Sequence, residues 1–314
     1  MKLLVNGKWH SDFPTRDYQN RPVASAATRK AAGTLRPEMR GIEIEPQNCH
    51  LYVSYACPFA HRVIITRALL GLGDMIGMSV LGPDWSGPEG WVFSKGPDCT
   101  GDLVNGKRAL HQVYTVADPH FSGKVTVPVL WASREQRLVS TESLEIVRIM
   151  TSALRNFHRS GPDLCPQHLE TQVDEMNAFI DGQISSGVYR TSPTTDPDRH
   201  ADNVARVFDA LLEIDHRLQG RSHLLGDGMT EADIVLFTTM IRFDVVYHDL
   251  FGYDRKRLAQ LPNIAAHTSR LGSQPAIAST VKFNHIIRHY YTIPEFAGVS
   301  GALRSRDSNG LLRD

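Results

Sequence analysis

An α/β unit followed by an all-helical unit is the fold class this sequence predicts. Three observations predict it. Residues 46–155 alternate strand-like and helix-like segments. Residues 160–293 carry apolar side chains at helical spacing. Between the first strand and the first helix, the stretch His50–Arg62 places a cysteine at a helix start. A length of 314 residues suits about two units of ordinary size. Residues 1–45, rich in Arg, Ala, Pro and Gly, read as an N-terminal extension with a small hairpin around Asn6-Gly7, and residues 294–314 read as a polar tail.

Composition removes several function classes. Lys plus Arg and Asp plus Glu are equal at 34 each, so there is no basic excess to hold nucleic acid or an anionic membrane. No apolar run approaches the roughly 18 residues of a membrane span. Met1–Lys8 turns polar too soon for a secretory signal. The four cysteines, Cys49, Cys57, Cys99 and Cys165, show neither metal-ligand spacing nor a disulfide framework. No metal is expected, and a reducing cytoplasm with its small thiols is the simplest setting.

Leu51 and Val53, flanked by tyrosines, suit a buried strand. Pro58 suits the first position of a helix, where its missing N–H costs nothing, and this leaves Cys57 at the N-cap. Free N–H groups and the positive helix end favour a thiolate there, aided by a cation such as His61 or Arg62 one turn on. The position three after Cys57 is Ala60, so no resolving thiol sits in the turn and an outside thiol must close any disulfide. A buried structural cysteine is the alternative reading.

The helix from Pro58 runs to Leu70, with Val63, Ile64 and Ala68 on an apolar face and a stop near Gly71. Ile76–Leu81 is a second strand. Residues 82–123 form a long excursion rich in Gly, Pro and Asp, with Trp85, Trp91 and Phe93 as exposed aromatics able to floor or cover a ligand. Val125–Trp131 is a strand interrupted by Pro128, which calls for an edge position or a cis bond that turns the Val127 backbone toward a ligand. Arg137–Val139 is the last strand. Thr141-Glu142-Ser143 opens a helix with Leu144, Val147 and Met150 buried; this start suits either simple capping or a carboxylate, with Glu142 beside it for an ammonium group. Further helices are Leu169–Ile184 and Asp202–Leu218, the latter burying Val204, Val207, Phe208, Leu211, Leu212 and Leu218. Thr230 and Asp233 form a variant capping box before a strongly apolar run, Ile234–Tyr247, expected at the centre of the helical unit.

Leu51–Arg62, Val125–Trp131, Thr141–Met150, Gly187–Arg190, Ala232–Tyr247 and Arg288–Tyr291, in that order, resemble the xi-class glutathione transferases, the glutathionyl-hydroquinone reductases. The likeness covers roughly residues 46–293. It implies a glutathione transferase fold, with a thioredoxin-like α/β domain, an all-α domain and a homodimer. By position, Cys57 is implied as the catalytic cysteine and Val127 as the backbone partner of glutathione's cysteinyl part. Glu142 and Ser143 are implied for its γ-glutamyl end, and Trp91 as a glutathione-side tryptophan. Tyr189, Tyr247 and Tyr290 are implied as the lining of the acceptor pocket; each alone also reads as a satisfied core hydroxyl. Phe59 stands where the family turn usually has Trp, Thr141 where many members have Asn, and Lys124 where an Arg is usual, a point charge in place of a fork.

The implied reaction removes glutathione from an aromatic, quinone-derived thioether. Cys57 attacks the glutathione sulfur, Tyr189 or Tyr290 protonates the leaving carbon, and a second glutathione resolves the mixed disulfide. Two rival readings accompany it: a transferase or lyase that uses glutathione or another thiol on a specialised metabolite, and a non-catalytic interaction protein of the same fold.

Overall fold

A computed structural model describes residues 1–14, 42–193 and 196–296. The expectations for 15–41 and for 297–314 lie outside the described residues. The chain opens with a hairpin, β1 (Leu3–Val5) and β2 (Lys8–His10), turning through Asn6 and Gly7 at positive φ, as the Asn-Gly pair predicts. The hairpin packs on the 82–123 excursion. Leu4 bridges Gly123, Trp9 stacks on His111, and the Lys2 ammonium donates to the Trp85 carbonyl at 2.5 Å.

The α/β unit is a four-stranded sheet in the order β4–β3–β5–β6. Its strands are β3 (Cys49–Val53), β4 (Gly77–Val80), β5 (Val129–Ala132) and β6 (Arg137–Ser140). β3 and β4 run parallel, joined by helix α1 (Pro58–Leu69), because parallel neighbours need a crossover; β5 and β6 add antiparallel. Every residue of β3 and β5 is buried, which explains their nearly unbroken apolar character. Gly71 ends α1 at φ +65°, as its sequence signal predicts.

Four expectations need correction. The excursion is not structureless: it carries α2 (Leu110–Ala117), started by Gln112, whose side chain accepts from the Arg108 and Ala109 N–H groups. Its aromatics are not exposed either; Trp91 is buried, and Trp85 and Phe93 are half-buried. In α3 (Ser143–Arg148) Ile146 is buried where Leu144 was expected, and Leu144 lies half-buried against the helical unit. In α5 (Pro197–Arg217), capped by Asp196, Leu212 is 45% exposed, because the apolar spacing extended past the buried face.

The helical unit also contains α4 (Glu170–Phe179), which widens into a π-helical turn at Ile180–Ser185, and α6 (Glu231–Met240), every residue of which is buried. Thr230 caps α6, and its N–H donates to Asp233 at 2.8 Å, as the capping box predicts. A π-helical turn, Phe243–His248, follows; then come α7 (Pro262–Gly272), α8 (Pro275–Ala278) and α9 (Phe283–Tyr291). α1 packs against α3 and α6, so it is buried nearly all round and shows no clean polar stripe. Two ionic contacts, each with one fully buried partner, join the units: Arg148 grips Glu231 at 2.9 Å, and Arg62 meets Asp181 at 2.7 Å.

Candidate active site

Cys57 sits at the N-cap of α1 with extended φ −77° and ψ 123°, and Pro58 takes the first helical position. Its N–H donates to Ser54 and its carbonyl receives the first helical bond from His61. Across the gap the Val127–Pro128 bond is cis, and the Cys57 thiol donates to the Val127 carbonyl at 3.6 Å. The cysteine as a residue is half-buried.

The charge balance around the sulfur differs from the expected one. Burial pushes the Cys57 thiol up, against the pull of the Ala60 N–H, Arg242, the Phe59 N–H and Arg62. His61 supplies no cation: burial holds its ring well below the usual imidazole range, with Nε2 on Thr280 at 2.9 Å and Nδ1 facing the Arg242 guanidinium at 3.4 Å. Arg62 spends its charge on Asp181 and also donates to the Ser143 hydroxyl at 3.2 Å. The larger cationic support therefore comes from Arg242, a residue not foreseen inside the apolar run. Arg242 is fully buried and donates to the carbonyls of Tyr55 at 2.8 Å and Ala56 at 3.1 Å, in the turn that presents the cysteine.

The expected glutathione-side residues fall at several places. Glu142 stands at the N-cap position of α3, makes no side-chain cap bond and is exposed; Ser143 begins that helix and is buried, accepting from Arg62. Lys124 is exposed on the segment that leads into Val127. Trp91 lies flat on the His289 ring, with centroids 5.2 Å apart and planes 5° apart, and His289 meets Tyr290 edge-on at 4.8 Å. His289 was not foreseen. It is held by the Pro83 carbonyl at 2.7 Å, and burial lowers its ring to about 4.

The three expected tyrosines converge. The Tyr189 hydroxyl lies 2.9 Å from that of Tyr247 and 2.5 Å from that of Tyr290. Tyr247 and Tyr290 are buried, while Tyr189 is 39% exposed with its hydroxyl deep between them. Burial, then the neighbouring phenols, hold Tyr189 well above the usual phenol range, so the cluster keeps its protons and can donate them. Phe59, two residues after the cysteine, joins the two walls: its ring is 6.1 Å from that of Tyr189 and 4.7 Å from the Arg62 guanidinium carbon. Two of the remaining cysteines are poor nucleophiles. Burial lifts Cys49 and Cys165 to about 12, and Cys99 lies on the excursion beside Ser94. Two depressions of about 500 and 420 Å³ on the outer face of the helical unit, lined by residues such as Glu213, Arg217 and Phe179, contain none of these groups.

Family models for the glutathione S-transferase N-terminal and C-terminal domains match residues 56–153 and 197–270. The glutathionyl-hydroquinone reductase PcpF of Sphingobium chlorophenolicum is 38% identical over 93% of this chain and 91% of its own length. A solved xi-class glutathione transferase from Natrialba magadii superposes with a TM-score of 0.85 at 35% identity, covering 96% of this chain and 92% of that one. The chain belongs to the xi class of the glutathione transferases. A second relative, YqjG of Escherichia coli, also named a glutathionyl-hydroquinone reductase, is 38% identical over 93% of this chain and 90% of its own length. Its glutathione-bound structure matches with a TM-score of 0.81 at 34% identity, over 96% of this chain and 93% of that one. The expected fold, a thioredoxin-like sheet domain followed by a helical domain, is that of the class.

Proposed function

We propose that this xi-class protein is a glutathione-dependent reductase that removes glutathione from glutathionyl-hydroquinone-type aromatic thioethers through a mixed disulfide on Cys57. The observation that carries the reading is one site holding a half-buried cysteine at a helix N-cap, with no second cysteine in its turn, opposite three phenols hydrogen-bonded through the Tyr189 hydroxyl. The names of its relatives PcpF and YqjG support the same chemistry.

In the first half-reaction Cys57 loses its proton to solvent and the thiolate attacks the glutathione sulfur. The S–S bond forms as the S–C(aryl) bond breaks. The two sulfurs are oxidised to a disulfide, and the aromatic carbon leaves with the electron pair. Tyr189 or Tyr290 donates the proton that converts this carbon to C–H and is reprotonated from solvent. In the second half-reaction a free glutathione thiolate attacks the mixed disulfide, releasing glutathione disulfide and restoring Cys57. The Val127 backbone aligns the cysteinyl part of glutathione, Glu142 and Ser143 its γ-glutamyl end, and Trp91, Phe59 and Lys124 border the bound peptide. Tyr189, Tyr247 and Tyr290 line the hydroquinone pocket, where their retained protons suit hydrogen bonds to phenolic oxygens. Residues 46–155 act as the glutathione-binding domain and 160–293 as the acceptor domain, in a cytoplasmic homodimer. Steady-state turnover of a glutathionyl-hydroquinone tests the reading: wild type yields hydroquinone and glutathione disulfide, and Cys57→Ser yields neither.

A further inference from the structure

Two guanidinium groups are fully buried near the cysteine, and they are not alike. Arg62 is paired with Asp181 at 2.7 Å. Arg242 makes no ion pair among the described residues. Its partners are the carbonyls of Tyr55, Ala56 and Thr238, at 2.8, 3.1 and 2.6 Å, and the His61 Nδ1 at 3.4 Å. Because Arg242 has only N–H donors, His61 Nδ1 accepts, and Nε2–H donates to Thr280, whose hydroxyl donates to the Ile277 carbonyl at 2.6 Å. This chain of bonds fixes His61 in its neutral form beside the cation.

A buried charge without a counter-ion carries a desolvation penalty, which carbonyl dipoles offset only in part. Arg242 therefore gains if a neighbouring group becomes an anion. The titratable and charged groups that bear on the sulfur are Arg242 and Arg62, with Tyr247 from the π-helical turn and Tyr290 from α9. The phenols are held in their protonated form, and Arg62 already has Asp181. The Cys57 sulfur is the neighbour left to take the negative charge.

We propose that Arg242 is a positioning residue of the helical domain that fixes the Tyr55-Ala56 turn and serves as counter-ion to the Cys57 thiolate. The inference rests on Cys57 being the nucleophile. It assigns the helical domain a part in the thiol half of the reaction: the same side chain spans from the end of α6 to the backbone that presents the sulfur. It also gives a physical reason for a lone cation inside the apolar run Ile234–Tyr247.

The test is the pH profile of iodoacetamide alkylation at Cys57, read by peptide mass so that Cys99 is scored separately. Wild type, Arg242→Met and Arg242→Lys are compared on folded full-length protein. The Met variant loses the charge: its midpoint moves up, and alkylation at neutral pH slows by about tenfold. The Lys variant keeps the charge but loses the fork across two carbonyls. Its midpoint stays close to wild type, and its reductase kcat falls while KM changes little. A folded Met variant with the wild-type midpoint overturns the role of Arg242. If the Met variant does not fold, the Lys variant decides, and a midpoint displaced upward there overturns the role equally. Failure of the underlying reading looks different: wild-type protein treated with glutathione disulfide then gives no mixed disulfide at Cys57, whatever the Arg242 variants do.

Discussion

The thiol wall of the site comes from one short stretch, Val53–Arg62, faced by Val127, whereas the tyrosine wall draws Tyr189, Tyr247 and Tyr290 from three separate segments of the helical domain. The first wall is made by backbone: a helix start, a turn and a carbonyl 3.6 Å from the sulfur. The second is made by side chains that satisfy one another. A backbone wall follows local sequence rules, and its reactivity is tuned by distant groups such as Arg242. A side-chain wall depends on tertiary packing for its very existence, yet once packed its protonation is dictated by burial. The comparison predicts that the two walls fail separately.

The largest effect falls on the thiol wall. Cys57→Ser lowers reductase turnover by about three orders of magnitude or more, since no other cysteine lies in the turn. Steady-state kinetics of the purified variant measure it, and activity within tenfold of wild type breaks the account. Tyr189→Phe removes the central hydroxyl of the other wall. It lowers kcat on the aromatic thioether by about ten- to a hundredfold, while Cys57 still forms its mixed disulfide with glutathione disulfide at close to the wild-type rate. Equal losses in both assays mean that the walls are not separable.

Acidity sharpens the contrast. Burial holds the Cys57 thiol above its ordinary value, so the reactive thiolate fraction increases with pH, and kcat/KM rises from neutral toward alkaline pH. A profile already flat at neutral pH contradicts this. The smallest effect concerns stability. His50 and His289 are buried with rings lowered from 6.5 to about 4, so both are neutral in the folded protein near neutral pH. Between those two values the unfolded chain binds more protons than the folded one. Stability therefore falls as pH drops through that window, by on the order of 3 kcal/mol per ring at most, and levels off below it. Urea unfolding at about pH 7 and about pH 4.5 reads the loss; His289→Gln should remove part of it, and an unchanged slope removes His289 from the account.

How much of this was legible follows the same division. The Cys57-Pro58 helix start, the Asn6-Gly7 hairpin, the special bond before Pro128 and the Thr230–Asp233 box all rest on rules spanning a few residues, and each appears in the structure. The tyrosines were reachable only by resemblance, because nothing local distinguishes a phenol that meets two others from one capped by a carbonyl. α2 was missed although Leu110, Val113 and Tyr114 have helical spacing; eight residues between Gly- and Pro-rich flanks offer too little pattern to stand out. The expected cation was half right: Arg62 does draw the Cys57 thiol down, whereas His61 is neutral and the larger pull, from Arg242, was not foreseen. Tertiary contacts hold His61 neutral by burial, pair Arg62 with Asp181, and bring up Arg242 from the far domain.

A single-turnover experiment goes to the centre of the account. Reduced protein is mixed with a stoichiometric glutathionyl-hydroquinone in the absence of free glutathione, and intact mass and released hydroquinone are followed together. The predicted result is one glutathione bound through Cys57 for each hydroquinone released, with the adduct discharged when glutathione is added. Hydroquinone release without a protein adduct, or an adduct on any other cysteine, would contradict it.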